Sequence, residues 1–250
     1  MSHYILVHGA WEESGMWNEV SPYLLQNGHK VTAVDLPGSG SNKPSAKPVT
    51  TSDYITALMN VIEPLNEQVI LVAHSMNGAL ISHVAEQIPH TIKRLIYVTA
   101  FLLKDGGSVM EAMESDVDAE TLPEILFSED QTYATLPEKA LRKIGFHDLS
   151  EGAIKRVLPL MAEWQSTEPF MAQVSLSHKK FGSVPKTYIR TSIDKMVSPV
   201  LQETMINNWI VDSVFELKSG HFPAFSVPSE LAGYLLQADI VQPAKLISNG

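Results

Sequence analysis

The sequence predicts an α/β fold: a doubly wound, mostly parallel six-stranded sheet with helices on both faces and an inserted, mainly helical cap. Three observations lead there. Short apolar runs of buried-strand type alternate with amphipathic stretches, glycine and proline punctuate the joints, and both patterns stop between residues 104 and 183. At 250 residues the chain can bury one large core, and its 44% hydrophobic content fits a globular domain rather than a disordered or fibrous one.

The strand candidates are residues 4–7, 30–34, 69–73, 95–99, 187–191 and 211–217. Parallel strands need crossovers, and helices fit between them over 17–25 (ended by Gly28), 52–65 (with Ser52 as N-cap) and 76–87 (stopped by Pro89). Asp35-Leu36-Pro37-Gly38-Ser39-Gly40 opens a polar, proline-bearing loop that runs to Pro48. The expected division is a core from 1–103 and 184–250, with a cap subdomain from 104–183. Inside the cap, residues 111–130 carry several acids and no base, a pattern that favours a solvated surface over a cation site.

Charge and composition exclude several functions. A net charge of −10 and no run of lysine or arginine leave no basic face for nucleic acid. Without cysteine there is no disulfide, thiolate nucleophile or cysteine metal site. No basic, apolar leader precedes the first strand and no apolar run approaches membrane-spanning length, so the expectation is a cytoplasmic protein without membrane contact.

The chemistry gathers where strands end. The third strand runs through Ala73 and His74 into Ser75 and then a helix, which has the form of a nucleophile elbow. That turn strains the serine backbone, so the places two before and two after must be small. Here they hold Ala73 and Asn77, with the glycine delayed to Gly78. Ser75 is open to two readings, a nucleophile or a helix N-cap. If it is an elbow, Ala73 and Gly78 must supply the close approach that two glycines usually provide.

The first strand ends in Val7-His8-Gly9-Ala10, a tight loop able to turn backbone N–H groups toward an oxyanion. With strand order 2-1-3-4-5-6, the loops after strands one and three flank the topological switch point, and Ala10 and Ser75 share a crevice. A serine needs a base oriented by a buried carboxylate. Of nine histidines, His221 lies just beyond the last strand in Ser219-Gly220-His221-Phe222-Pro223 and suits the base. His74 points elsewhere in such a turn, His8 fits a loop hydrogen bond, and His29, His83, His90, His147 and His178 fall in surface or packing contexts. Asp194, after the fifth strand, suits the orienting acid, whereas Asp35 and Asp212 read as turn or capping residues.

Together, Val7-His8-Gly9-Ala10 with Trp17, the stretch from Gly28 to Leu36, the Ser75 elbow, Asp194 and Gly220-His221 resemble the α/β-hydrolase superfamily. The similarity is to its branch of methyl-ester carboxylesterases and hydroxynitrile lyases, with related bacterial carboxylesterases. It spans about Tyr4 to Leu236 and is strongest in the first hundred and last seventy residues. The resemblance implies the α/β-hydrolase fold, Ser75 as nucleophile, His221 as base and Asp194 as orienting acid. It implies the backbone N–H groups of Ala10 and Met76 as oxyanion hole, no metal, no cofactor and a homodimer. In the lyases of that branch a lysine follows the catalytic histidine and a threonine stands in the first oxyanion loop. Phe222 and Gly9 hold those places here, which implies hydrolysis of a small carboxylic ester rather than cyanohydrin cleavage. An amidase, a lactonase and a carbon–carbon hydrolase would use the same triad, and a non-catalytic small-molecule receptor would use the same fold. Trp11, His74, Phe222, Trp164 and Phe170 are the candidates for lining the substrate pocket.

Overall fold

The computed structural model describes residues 1–40 and 48–242. Most of the expected proline-bearing loop, residues 41–47, lies outside the described residues, as does the end of the expected core from residue 243.

Six strands form the central sheet: β1 (His3–Val7), β2 (Lys30–Val34), β3 (Val69–His74), β4 (Ile92–Val98), β5 (Lys186–Thr191) and β6 (Ser213–Leu217). All pair in parallel, in the order β2-β1-β3-β4-β5-β6 expected from the sequence. Every residue of β1 and β3 is buried, which is why these strands read as unbroken apolar runs rather than as an alternation. β6, at the edge, does alternate in exposure and begins after the predicted position. Just before it, the Asp212 carboxylate accepts from the Lys186 amide at 2.7 Å and the Asp212 N–H donates to the Lys186 carbonyl at 2.8 Å.

The register fixes what meets at the carboxyl edge. Val7 of β1 pairs with Ala73 of β3, and His74 pairs with Val98 of β4. The loop after β1, the turn after β3 and Thr99 therefore leave the sheet side by side.

The helices depart from expectation at their ends. The first predicted helix is a short turn over Ser14–Trp17 followed by α1 (Ser21–Gln26), with Gly28 at φ +80° closing it. α2 runs over Thr51–Ile62, and its N-cap is Thr50 rather than Ser52. Thr50 and Asp53 form a capping box, because the Thr50 hydroxyl reaches the Asp53 amide while the carboxylate reaches back. α3 (Gly78–Gln87) follows a separate tight turn over Ser75–Asn77.

Between β4 and β5, helices over Val109–Ser115 and Glu151–Val157 and several shorter turns accompany a three-stranded antiparallel sheet. Its strands, Leu126–Phe127, Tyr133–Thr135 and Gln165–Ser166, are too short to leave an alternation in the sequence. The acidic run is engaged rather than merely solvated. Glu111 caps its helix, Asp116 accepts from the Ser198 amide, and Glu120 and Glu124 pair with Lys143. No described group of three or more acids and histidines is placed to hold a metal ion, and no described helix is long and apolar enough to cross a membrane.

Gly78 carries the close approach expected of it: a Cβ there would lie 2.7 Å from both the Phe101 amide nitrogen and carbonyl oxygen. Backbone cannot swing aside as a side chain can. Gly78→Ala is expected to lower unfolding free energy by about 1–3 kcal/mol, the usual range for overpacking, measured by urea denaturation.

Candidate active site

Ser75 has φ +54°, in the left-handed region that a residue with a Cβ rarely adopts. It is no ordinary helix N-cap. Three of the five described non-glycine residues with positive φ, Trp11, Ser75 and Thr99, lie at the carboxyl edge of the sheet, so backbone strain is concentrated there. The turn is held from both sides. The Ser75 carbonyl accepts from the Phe101 amide at 3.0 Å, and the Asn77 side-chain amide donates to the His8 carbonyl at 2.6 Å. Asn77, the apparent misfit in the motif, ties the elbow to the loop after β1.

The turn presents Ser75 Oγ to His221 Nε2 at 2.9 Å, and His221 Nδ1 lies 2.8 Å from Asp194 Oδ2. The carboxylate can only accept at Nδ1, so that nitrogen carries the proton and Nε2 offers its lone pair to the serine hydroxyl. Asp194 is buried, and both of its oxygens are satisfied. Oδ2 also accepts from the hydroxyls of Thr99 (2.7 Å) and Thr191 (3.0 Å), while Oδ1 accepts from the amides of Met196 (2.7 Å) and Val197 (3.1 Å). Burial by itself would raise this carboxyl. The electrostatic pull of the adjacent His221 ring and these hydrogen bonds outweigh it and hold Asp194 below its ordinary range.

The loop after β1 is equally constrained. His8 donates from Nδ1 to the Gly9 carbonyl (2.8 Å) and accepts the Leu36 amide at Nε2 (3.2 Å), the loop role expected of it. Burial lowers its pKa, in keeping with a neutral ring. The Gly9 amide donates to the buried Glu12 carboxylate at 2.6 Å. Trp11 is bound to the inserted segment through its indole to the Ala134 carbonyl (2.9 Å) and through its own carbonyl to the Ala162 amide (2.6 Å). Ala10 and Met76 then line one cleft with Ser75 and His221.

That cleft, about 270 Å³ when the space open to solvent is counted, is walled by Trp11, Phe101, Met113, Thr121, Phe170, Met196 and Val197. Trp11 and Phe170, proposed from sequence, meet there with ring centroids 5.5 Å apart. Three other candidates do not line it. Phe222 and His74 turn to the other side of the relay, into a second small cavity bounded by Glu12, Trp17 and Val98, because the His74 ring is held by Glu12 and by the His221 carbonyl. Trp164 is 52% exposed and packs on Tyr133 at the surface of the inserted segment. Met113, Thr121, Met196, Val197, Glu12, Asn77 and Thr99 were missed. Met113, Thr121, Glu12 and Thr99 reach the site through tertiary contacts with no local pattern, whereas Met196 and Val197 follow Asp194 in its own loop and Asn77 lies within the elbow.

Residues 4–233 match the Alpha/beta hydrolase family, and the chain belongs to that family. It is 31% identical over 97% of its length to a putative chloroplastic methylesterase 11 of Arabidopsis thaliana, of which it spans 65%. It is 30% identical over 95% of its length to methylesterase 17 of the same plant, of which it spans 91%. The solved structure of polyneuridine aldehyde esterase superposes with a TM-score of 0.81 at 26% identity, covering 95% of this chain and 98% of that one. The chain is thus an esterase-type hydrolase.

Gly9 admits no side chain, since a Cβ would lie 2.8 Å from Glu12 Oε1, 2.9 Å from His74 Nδ1 and 2.9 Å from Ser75 Cβ. Gly9→Thr is expected to displace the loop and the elbow together. Turnover should fall on the order of 10²-fold, the scale of a misplacement of about 1 Å, with circular dichroism confirming a retained fold.

Proposed function

We propose that the protein hydrolyses small, uncharged carboxylic esters through a Ser75–His221–Asp194 triad and an acyl-enzyme. The observation that carries this reading is the Ser75 hydroxyl, forced out of the sheet at φ +54° and 2.9 Å from a histidine whose far nitrogen is held by a buried carboxylate. His221 takes the hydroxyl proton as Ser75 Oγ attacks the ester carbonyl. The backbone N–H groups of Ala10 and Met76 receive the oxyanion, His221 returns the proton to the departing alcohol, and water activated by the same imidazole then releases the acid.

The cleft supports the choice of substrate. Its only titratable lining residue among those described is His221, and its walls are otherwise mostly apolar, which suits an uncharged substrate. We read residues 104–183 as the cap over this cleft, since they contribute Met113, Thr121 and Phe170 to its walls. The names of the methylesterase relatives support a methyl ester. Cyanohydrin cleavage is disfavoured: Phe222 offers no cation to a departing anion and faces away from the cleft, and position 9 has no room for threonine.

A fluorophosphonate probe should label wild type at Ser75 and leave Ser75→Ala unlabelled, with kcat for an activated ester falling about 10⁶-fold in the variant. Near-wild-type turnover in Ser75→Ala would sink the assignment. In a panel of methyl, aryl and short p-nitrophenyl esters beside amides, lactones and cyanohydrins, uncharged short-chain esters should be turned over fastest. Turnover of cyanohydrins without esters would reverse the choice.

A further inference from the structure

Immediately behind the relay lies a second buried acid–histidine pair that the mechanism above does not use. Glu12 is buried, and its carboxylate lies 2.9 Å from His74 Nδ1 while also accepting the Gly9 amide at 2.6 Å. On the other side of the same ring, His74 Nε2 lies 2.7 Å from the backbone carbonyl of His221. A carbonyl oxygen can only accept, and so can an ionised carboxylate. Both ring nitrogens must therefore donate, which makes His74 an imidazolium.

We propose that Glu12 and His74 are positioning residues: the Glu12 carboxylate keeps His74 doubly protonated, and the ring then locks the oxyanion loop, the elbow and the His221 loop in register. This inference rests on the serine-hydrolase reading of the site. Each of the three loops takes one contact from the pair. Glu12 holds the Gly9 amide beside Ala10, His74 is the residue that precedes Ser75, and its Nε2–H holds the main chain of His221. Glycine at position 9 fits the same account, since the pair and Ser75 Cβ occupy the space a side chain would need.

The charged and titratable groups around the ring agree. Burial alone would lower the His74 pKa, but Glu12, the His221 carbonyl and the more distant Asp194 carboxylate together raise it above the ordinary histidine value. Glu12, against the cost of burial, is held below its ordinary range chiefly by His74. His8 and the His221 ring, 4.7 Å from His74 between centroids, complete the titratable surroundings. With its pKa raised above the ordinary histidine value, the cation is favoured at acidic pH and is lost as pH rises through that raised value. Loss of the Nε2 proton turns a lone pair toward the His221 carbonyl and releases the His221 loop.

Two measurements test the proposal. In ¹⁵N-histidine-labelled wild type, both nitrogens of His74 should remain protonated at pH 7–8, and an alkaline limb in kcat should coincide with its titration. A ring with a single proton at pH 7, or an alkaline limb that ignores His74, overturns the inference. In Glu12→Gln, His74 should be neutral at pH 7. Turnover should fall on the order of 10²-fold with KM little changed, and the alkaline limb should move to lower pH. Glu12→Gln with wild-type kcat and pH profile would also overturn it, and if that variant does not fold, the wild-type spectrum and pH profile decide. Failure of the hydrolase reading is separate: it shows as no fluorophosphonate labelling and no ester turnover, while the protonation of His74 is still read.

Discussion

The left-handed backbone of Ser75 is the constraint on which the rest of the site depends. A residue with a Cβ in that conformation costs about 1–3 kcal/mol and persists only where its surroundings over-determine it. Here they do. β3 enters the turn as a fully buried strand paired on both sides, so its end cannot shift, and α3 leaves the turn with Gly78 pressed against the backbone at Phe101. Asn77 adds a lateral tie to His8. The strain is supported by packing and main-chain contacts, and the hydroxyl is left free to face the histidine.

Burial of charge follows from that geometry. Asp194 and Glu12 are carboxylates in the interior, where an unpaired charge would be strongly destabilising. Each is paired with a histidine and also accepts backbone N–H groups, so neither is left unsatisfied. The two pairs bring their histidine rings within 4.7 Å of each other but differ in consequence. Asp194 orients a ring whose other nitrogen faces the reacting hydroxyl; Glu12 faces a ring whose other nitrogen is already bonded to main chain.

The segment between β4 and β5 is joined to this centre by specific contacts rather than by simple coverage. Trp11, itself at φ +57°, is hydrogen-bonded to the inserted strands through main chain and indole. From the same segment, Asp148 accepts the Gly220 amide at 2.7 Å, one residue before His221. Movement of the segment would therefore be felt at both the loop after β1 and the histidine. Its surface ion pairs, Lys143 with Glu120 and Glu124, are exposed and contribute little to stability by comparison.

Strand order, the elbow, the acid and the histidine were legible because each is written locally: strand-like runs mark the sheet, and Ser75, Asp194 and His221 each lie just beyond the end of one of them. The small antiparallel sheet was not, because two- and three-residue strands carry no period. Thr50 rather than Ser52 caps α2, a choice between candidates two residues apart that only backbone geometry separates. Pocket walls were harder still. Phe222 adjoins the histidine in sequence yet points away from the cleft, whereas Met113 and Thr121 reach it from a hundred or more residues before His221. The sequence alone determined the fold and pointed to Ser75, Asp194 and His221, which the structure brings into one hydrogen-bonded chain, because strand ends and their chain order follow from apolar pattern and topology. Only the tertiary structure decided what surrounds them, including the Glu12–His74 pair, because contacts between strand ends depend on register and side-chain direction, which no local pattern records.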